Sequence, residues 1–436
     1  MVYKENSKEI NVASIILAGG KGTRLFPLTS NHSKPAMAFG GRYRLIDIPI
    51  SNSLNSNIRQ IFVIGQYLTA ELQHHLSQTY QFDNFLPGRL DFLTPEELPN
   101  GERIWFEGTA DAIRKCLTKI EKIDVDYFLI LSGDQLYNIN FHKMLEFAQK
   151  TDADLTIATL PVKEKEAKRM GIMKIDASSQ INDFIEKPQE VDILSNFQMP
   201  APFYEKWNIK DHDKKYLGSM GIYIFKRDVL LNLLKKDTRA DFGKHLIPTA
   251  IKEDSKVFSF VYDGYWEDIG TIASFYEANM KLTKSEENIK LNTYDENNPI
   301  YTRAYNLPGS KLYNTKIHNS LICEGCVIEA KSIENCVIGI RSKIKKGCLI
   351  KDSILLGNST CRQSKHHKHF LPDKFEIDEN SHIEKAIIDE GVNIGKNVKL
   401  INKNNLLKYD GDNGVYVRDG IIIVTSGTNL PDNFIF

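Results

Sequence analysis

Val12-Ala13-Ser14-Ile15-Ile16-Leu17-Ala18 is an apolar run rich in β-branched residues and closed by glycine, the pattern of a buried parallel strand. Similar runs recur at Gln60 to Gly65, Tyr127 to Leu131, Leu155 to Ala158 and Gly221 to Phe225. Between them lie amphipathic stretches at Thr69 to Tyr80, Thr109 to Lys122, Phe141 to Gln149 and Arg227 to Lys235, which predict helices. This alternation, from residue 12 to about 285, predicts an α/β domain: a Rossmann-like, doubly wound and mostly parallel sheet. In such sheets ligands bind beyond the carboxyl ends of the strands.

Near Asp295-Glu296-Asn297-Asn298-Pro299 the pattern changes. Beyond it a period of six appears at Ile322 and Ile328, then Ile338, Ile344, Ile350 and Leu356, then Ile388, Ile394 and Leu400. Two residues before each stands a partner: Ser320, Cys326; Cys336, Ser342, Cys348, Ile354; Ala386, Val392, Val398. Neither a helix nor a plain strand has that spacing, and six-residue repeats are the signature of a parallel β-helix. Two domains are therefore expected, 1–297 and 298–436, which also suits a chain of 436 residues. The one break in the repeat, 358–381, holds Cys361, His366, His367 and His369. Two readings stand there, a metal site or a solvated loop between coils.

Composition narrows the class. Apolar content of 42% and charged content of 26% are those of a globular protein, and 56 basic residues against 56 acidic ones leave no global field for nucleic acid or a membrane surface. The N-terminus is charged, without an apolar signal core or an arginine-rich transit pattern, and no apolar run approaches the ~20 residues of a membrane span. A cytoplasmic location is expected. Six cysteines are too few for a disulfide scaffold. Cys323 and Cys326 form a C-x-x-C without a second pair at zinc spacing, and Cys326, Cys336 and Cys348 fall in the small inward slot of the repeat, so packing is expected of them.

Candidate chemistry starts where strand one ends. Gly19-Gly20-Lys21-Gly22-Thr23-Arg24 lets backbone N–H groups approach a ligand and adds two cations, which together describe a phosphate cradle. It matches neither the P-loop nor the dinucleotide fingerprint, and a plain connection after the strand is the alternative. In Ser33-Lys34-Pro35 the proline holds the lysine in extended chain, able to aim its ammonium at the cradle or simply to lie on the surface. Asp134, just past the run ending at Leu131, is placed to hold Mg²⁺ on phosphate oxygens or to cap a helix. Asp268, in Tyr265-Trp266-Glu267-Asp268-Ile269-Gly270, can complete the metal site. Glu186-Lys187-Pro188 sets an acid beside a base, suited to a sugar hydroxyl and a sugar phosphate, or to a solvated strand end. No Ser-His-Asp or Cys-His arrangement is evident, so phosphoryl or nucleotidyl transfer fits better than acyl transfer.

The motifs LAGGKGTRLFPLT, SKPAMAFGGRYRLIDIPISNSLNSNI, FEGTADAIR, GDQLY, FIEKPQ, SMGIYIF, DFGKHLIP and YDGYWEDIGT, followed by the hexapeptide repeat, resemble the ADP-glucose pyrophosphorylase (glucose-1-phosphate adenylyltransferase) family over almost the whole chain. The wording is most similar to the branch from photosynthetic organisms. The resemblance implies a left-handed β-helix after the catalytic domain, a homotetramer, and the reaction of ATP with glucose 1-phosphate to ADP-glucose and pyrophosphate, which commits glucose to glycogen or a starch-like polymer. It implies that Gly19, Gly20, Gly22 and Thr23 hold the triphosphate with Arg24 and Lys34 as catalytic cations, and that Gln66, Gly108 and Thr109 bind the nucleotide. Asp134, also catalytic, and Asp268 would bind Mg²⁺, while Gly171, Glu186, Lys187 and Ser219 would bind glucose 1-phosphate.

Several positions depart from the family's pattern. Gln135 stands where histidine is usual, and Phe106 where bacterial relatives have tyrosine. Asn31, His32, Glu390 and Ser426 stand where relatives carry basic activator residues, although Arg44 is retained, so weak or altered response to an anionic effector is expected. The rival readings are another sugar-1-phosphate nucleotidyltransferase, or a regulatory subunit with little activity. Regulatory relatives lose the arginine or lysine of the first two motifs, and both Arg24 and Lys34 are present.

Overall fold

The computed structural model describes residues 10–82, 88–96, 105–285, 291–359 and 375–436. In the first domain the main strands are β1 (Val12–Leu17), β2 (Gln60–Ile64), β3 (Arg89–Leu93), β4 (Tyr127–Ser132), β5 (Gln135–Tyr137), β6 (Leu155–Val162), β7 (Gly171–Ile175), β8 (Ile181–Glu186), β9 (Tyr216–Lys226), β10 (Val257–Val261) and β11 (Trp266–Asp268). The main helices are α1 (Asp47–Asn55), α2 (Thr69–Thr79), α3 (Thr109–Lys115), α4 (Phe141–Lys150), α5 (Arg227–Lys236) and α6 (Ile272–Lys281). Among the described residues nine strands form one sheet, in the order β8-β7-β9-β4-β1-β2-β3, with β6 on β9 and β10 on β6. β4, β1, β2 and β3 run parallel, as does the β6–β10 pair. The partners of β9 and the β7–β8 pair are antiparallel.

Alternation along β1 and β4 serves two cores. Ala13, Ile15, Phe128 and Ile130 face the layer of α3 and α5, whereas Ile16, Leu129 and Leu131 face α1, α2, α4 and α6. Each fully buried isoleucine or leucine contributes about 1.5–3 kcal/mol. The helix expected at Thr109 to Lys122 is interrupted at Cys116, dividing into α3 and a short turn at Leu117–Ile120. β9 begins five residues earlier than its apolar run, because Tyr216-Leu217-Gly218-Ser219 hides a strand behind glycine and serine, and its register shifts between Ser219 and Tyr223.

After α6 the chain turns at Asp295, whose Oδ1 accepts the Asn297 N–H at 3.0 Å, and then runs against α1, where Tyr301 N donates to Ser51 Oγ at 2.8 Å. From Lys311 onward short strands stack in three sheets around a triangular coil. Ile317 pairs with Ile333, Ile333 with Ile350, Ile350 with Ile383 and Ile383 with Leu400, all in parallel register. The six-residue apolar positions from Ile328 to Leu400 are buried, with Cys326, Cys336, Ser342, Cys348, Ala386, Val392 and Val398 beside them.

The step from Ile350 to Ile383 contains the expected break, most of which, with Cys361, His366, His367 and His369, lies outside the described residues. A second break is present as well. Ile387 pairs with Ile423, and the intervening chain forms the hairpin Lys408–Asp410 with Val415–Arg418. Its Val415 and Val417 keep the inward alternation of an ordinary strand, which a six-residue rule does not detect.

The two domains share one apolar core. Val337, Ile354, Leu356, Ile387, Ile421 and Ile423 of the β-helix pack with Phe275 of α6 and with Ile46 and Phe39. Polar contacts fix the register: Ile340 N donates to Gly41 O at 3.1 Å and the Tyr276 hydroxyl to Asp352 O at 2.6 Å. The described cysteines 116, 323, 326, 336 and 348 are free and buried, and burial pushes the Cys323 and Cys336 thiols up to about 12. In native protein at pH 8, iodoacetamide should therefore leave these five unmodified under conditions that label the unfolded chain completely. Site-resolved mass spectrometry checks this, and rapid native labelling of Cys326, Cys336 or Cys348 would contradict the inward packing.

Candidate active site

The glycine stretch leaves β1 at the carboxyl edge of the sheet. Gly22 has φ +63°, a conformation that glycine adopts without penalty, and it leads into a single 3₁₀ turn, Thr23–Leu25. A β-carbon on Gly22 would also lie 3.2 Å from Lys34 Cβ, so the loop rests directly on the lysine segment. The space beside Gly20 is open, and Thr23 and Arg24 are exposed.

Lys34 is 7% exposed, which removes the surface reading. Its ammonium is bound to Asp134 Oδ2 and stands 3.8 Å from Asp268 Oδ1. Asp134 follows β4 and precedes β5, so it caps no helix, and its other oxygen accepts the Ser132 hydroxyl. β11 pairs antiparallel with β5, setting Asp268 opposite Gln135 and next to Asp134. The Arg24 guanidinium comes within 3.4 Å of the space beside Gly270, and Asp268 Oδ2 within 3.3 Å of it, so the arginine closes the group from the other side. Burial raises the Asp268 carboxyl above its ordinary value and the charge of Asp134 adds to this, while Lys34, Arg24 and Lys187 oppose it. Two carboxylates brought together at strand ends offer an all-oxygen donor set, which fits a hard divalent cation.

Gln66 binds two segments together. Its Nε2 donates to Gly19 O at 3.2 Å and to Phe106 O at 3.3 Å, and its Oε1 accepts the Phe106 N–H at 2.9 Å. Gly108 is packed against Ala240, whose carbonyl oxygen would be 2.5 Å from any β-carbon there, and Thr109 Oγ1 accepts the Phe242 N–H at 3.1 Å. On the far side of the crevice Glu186 Oε1 meets Lys187 Nζ at 3.2 Å. Gly171 is a true space requirement, since a β-carbon would stand 2.3 Å from Phe184 Cζ and 2.8 Å from Glu186 Oε2. Ser219 Oγ accepts the Gly221 N–H at 3.2 Å, and Gly221 in turn faces Gln135. Trp266 Nε1 donates to Gln135 Oε1 at 3.3 Å, so the glutamine braces the β5–β11 pair.

Several neighbours were not read from the sequence. Gly243 faces Glu186 Oε2 as Gly171 does. Phe26, two residues after Arg24, packs edge-on against Tyr416 of the β-helix hairpin at 5.6 Å, and the Arg418 guanidinium lies 5.7 Å from both rings. This contact depends on the second, unforeseen break.

His32, Arg44, Glu390 and Ser426 meet at the junction of the domains, whereas Asn31 is exposed. Arg44, 5% exposed, contacts Glu71 Oε1 at 3.1 Å and Glu390 Oε2 at 3.3 Å, and donates to Ala36 O and Ser359 Oγ. His32 Nδ1 lies 2.6 Å from Glu71 Oε2. Ser426 Oγ donates to Glu390 O at 3.0 Å. Burial opposes charge on His32, but Asp389, Glu71 and Glu390 outweigh it and raise the imidazole to about 9.

Comparison with known families is in accord with this geometry. Residues 13–285 match the family described as Nucleotidyl transferase, and residues 305–435 match the GLGC left-handed parallel beta-helix domain. The chain belongs to the Nucleotidyl transferase family, whose members use nucleotide and sugar phosphate substrates and typically a divalent metal. The two domains in this order are the signature architecture of ADP-glucose pyrophosphorylase.

Removing the Arg44 side chain would strand the buried carboxylate of Glu390 and take the guanidinium from half-buried Glu71. Arg44→Ala should lower unfolding free energy by about 3–5 kcal/mol, whereas Lys187→Ala, at an exposed side chain, should stay within about 0.5 kcal/mol. Urea denaturation of the two variants checks the contrast.

Proposed function

We propose that the chain is a glucose-1-phosphate adenylyltransferase, forming ADP-glucose and pyrophosphate from ATP and glucose 1-phosphate. The observation that carries this reading is the grouping of Arg24, Lys34, Asp134 and Asp268 at the carboxyl ends of β1 and β4, beside the open backbone of Gly19 and Gly20. A covalent nucleophile has no place in the scheme. An oxygen of the sugar phosphate attacks the α-phosphorus of ATP, the new P–O bond forms as the bond to the bridging α–β oxygen breaks, and pyrophosphate leaves with the electron pair.

In this scheme Gly19, Gly20, Gly22 and Thr23 cradle the triphosphate, and Gln66, Gly108 and Thr109 define the nucleotide side of the crevice. Arg24 and Lys34 face the charge that builds on the α-phosphate and the departing pyrophosphate. Asp134 and Asp268 would hold Mg²⁺, which supplies neutralisation of phosphate charge when bound. Glu186 takes sugar hydroxyls, Lys187 the sugar phosphate, and Gly171 and Ser219 shape that half of the site. The catalytic unit is 1–297 and the β-helix 298–436. A homotetramer, a cytoplasmic setting and a role in glycogen or starch-like polymer synthesis complete the proposal.

Preorganised donors of this kind contribute about 10² to 10³ in rate. Arg24→Ala should lose turnover by that factor with little change in glucose 1-phosphate affinity, whereas Lys187→Ala should mainly raise the glucose 1-phosphate KM. Steady-state kinetics checks the split, and the reverse pattern removes both roles. Pyrophosphate release with ATP, CTP, GTP and UTP tests the nucleotide. Preference for UTP or GTP would favour another sugar nucleotidyltransferase, and no turnover with any would favour a regulatory subunit.

The junction cluster bears on regulation. Arg44 and His32 are already engaged by carboxylates, so an anionic effector would find little uncompensated positive charge. Stimulation by 3-phosphoglycerate or sugar phosphates should be weak, and an activator titration giving strong stimulation would overturn this.

A further inference from the structure

Three side chains, His32, Glu71 and Glu390, meet at the domain junction; His32 Nε2 and Glu390 Oε1 are buried without a hydrogen bond, while Glu71 Oε1 meets only the Arg44 guanidinium, at 3.1 Å. They reach this point from the segment before Lys34, from α2 and from the β-helix. His32 is 8% exposed and Glu390 5%, so bulk water does not supply the missing partners. One potential ligand atom from each of the three lies within 4.8 Å of the others.

The surroundings favour a cation. His32 Nδ1 is occupied by Glu71 Oε2 at 2.6 Å, an arrangement that orients the ring and leaves Nε2 as the nitrogen for an incoming ion. Asp389 Oδ2 stands 3.8 Å from that nitrogen, too far for a hydrogen bond. Ligands about 2.1 Å from one zinc ion are spread over no more than about 4.2 Å, a spacing that small carboxylate rotations reach here. With Nε2 deprotonated, Glu71 and Glu390 share the Arg44 guanidinium and Asp389 lies beside the imidazole, leaving carboxylates in excess of the cations that contact them. A divalent ion neutralises them, and an imidazole among oxygen donors selects the zinc class over Mg²⁺.

We propose that His32, Glu71 and Glu390 form a transition-metal site of the zinc class that joins the two domains, separate from the Asp134–Asp268 pair. The ion would replace the imidazole proton and cross-link the segment leading to Lys34 with the β-helix. The proposal stands on junction geometry alone and does not depend on which nucleotide or sugar the enzyme uses.

The test uses the full chain, stripped of metal and then saturated with Mg²⁺, titrated with Co²⁺ and followed by visible absorption. One equivalent of Co²⁺ should bind per chain despite the Mg²⁺, and Zn²⁺ should displace it and raise the thermal midpoint. His32→Gln and Glu390→Gln should each weaken binding by about 10- to 100-fold or more. A variant with His366, His367 and His369 all replaced by Gln should bind as the parent does. Absence of Mg²⁺-resistant Co²⁺ binding by the unaltered protein overturns the proposal without recourse to variants. So does binding that survives both His32→Gln and Glu390→Gln, or that is lost only in the triple variant.

Discussion

The buried ammonium of Lys34, bound to Asp134 and facing Asp268, is the interaction around which the catalytic crevice is arranged. A lysine 7% exposed is stable as a cation only with such partners, and each partner depends on a different part of the sheet. Asp134 is held by the end of β4 through Ser132, and Asp268 by the short β5–β11 ladder that Gln135 and Trp266 brace. Moving either strand end by an ångström would leave a charge uncompensated. The grouping therefore constrains the backbone as much as the backbone positions the grouping.

The same segment connects the crevice to the second domain. Two residues before Lys34, His32 enters the carboxylate cluster that Arg44 shares with Glu390, and two residues after Arg24, Phe26 rests on Tyr416. Each cation proposed to face the phosphates thus lies two residues from an anchor point against the β-helix. The apolar contact of Val337, Ile354, Ile387 and Ile423 with the core of the first domain makes that docking firm, because separating it would expose a continuous stripe of large aliphatic side chains. A change at the β-helix face has a short covalent route to Arg24 and Lys34.

Features with a regular period were legible in the sequence. The strands at Val12, Gln60 and Tyr127 are buried on both faces and read as apolar runs, and the inward isoleucines of the β-helix declare its period directly. The pairing of Gln66 with Phe106 was not legible, because it joins residues 40 apart through backbone atoms that carry no side-chain signature. The interruption at Cys116 falls in a stretch without glycine or proline to announce it, and the start of β9 is masked by Gly218 and Ser219. The hairpin that reaches Phe26 was hidden because its own two-residue alternation replaces the six-residue one. In the site, residue types pointed to Asp134 and Lys34 separately. Their direct contact, which excludes both the cap and the surface reading, needed the fold.

The glycine stretch departs from both familiar phosphate templates for a reason the geometry makes concrete. A P-loop wraps its backbone around the phosphates and opens a long helix toward them. Here Gly22 turns the chain into a single 3₁₀ turn, and Arg24 is carried out of the loop to the edge of Asp268 and Gly270. A helix continuing from Gly22 would direct that arginine along its own axis and away from the carboxylates. The short turn leaves one cation, Lys34, buried and fixed by its partners, and the other, Arg24, exposed at the mouth of the crevice. For a reaction at an α-phosphate this division is physically sensible. The fixed ammonium keeps the carboxylates in place whether or not substrate is present, while the exposed guanidinium can give up solvent for phosphate oxygens when charge develops there.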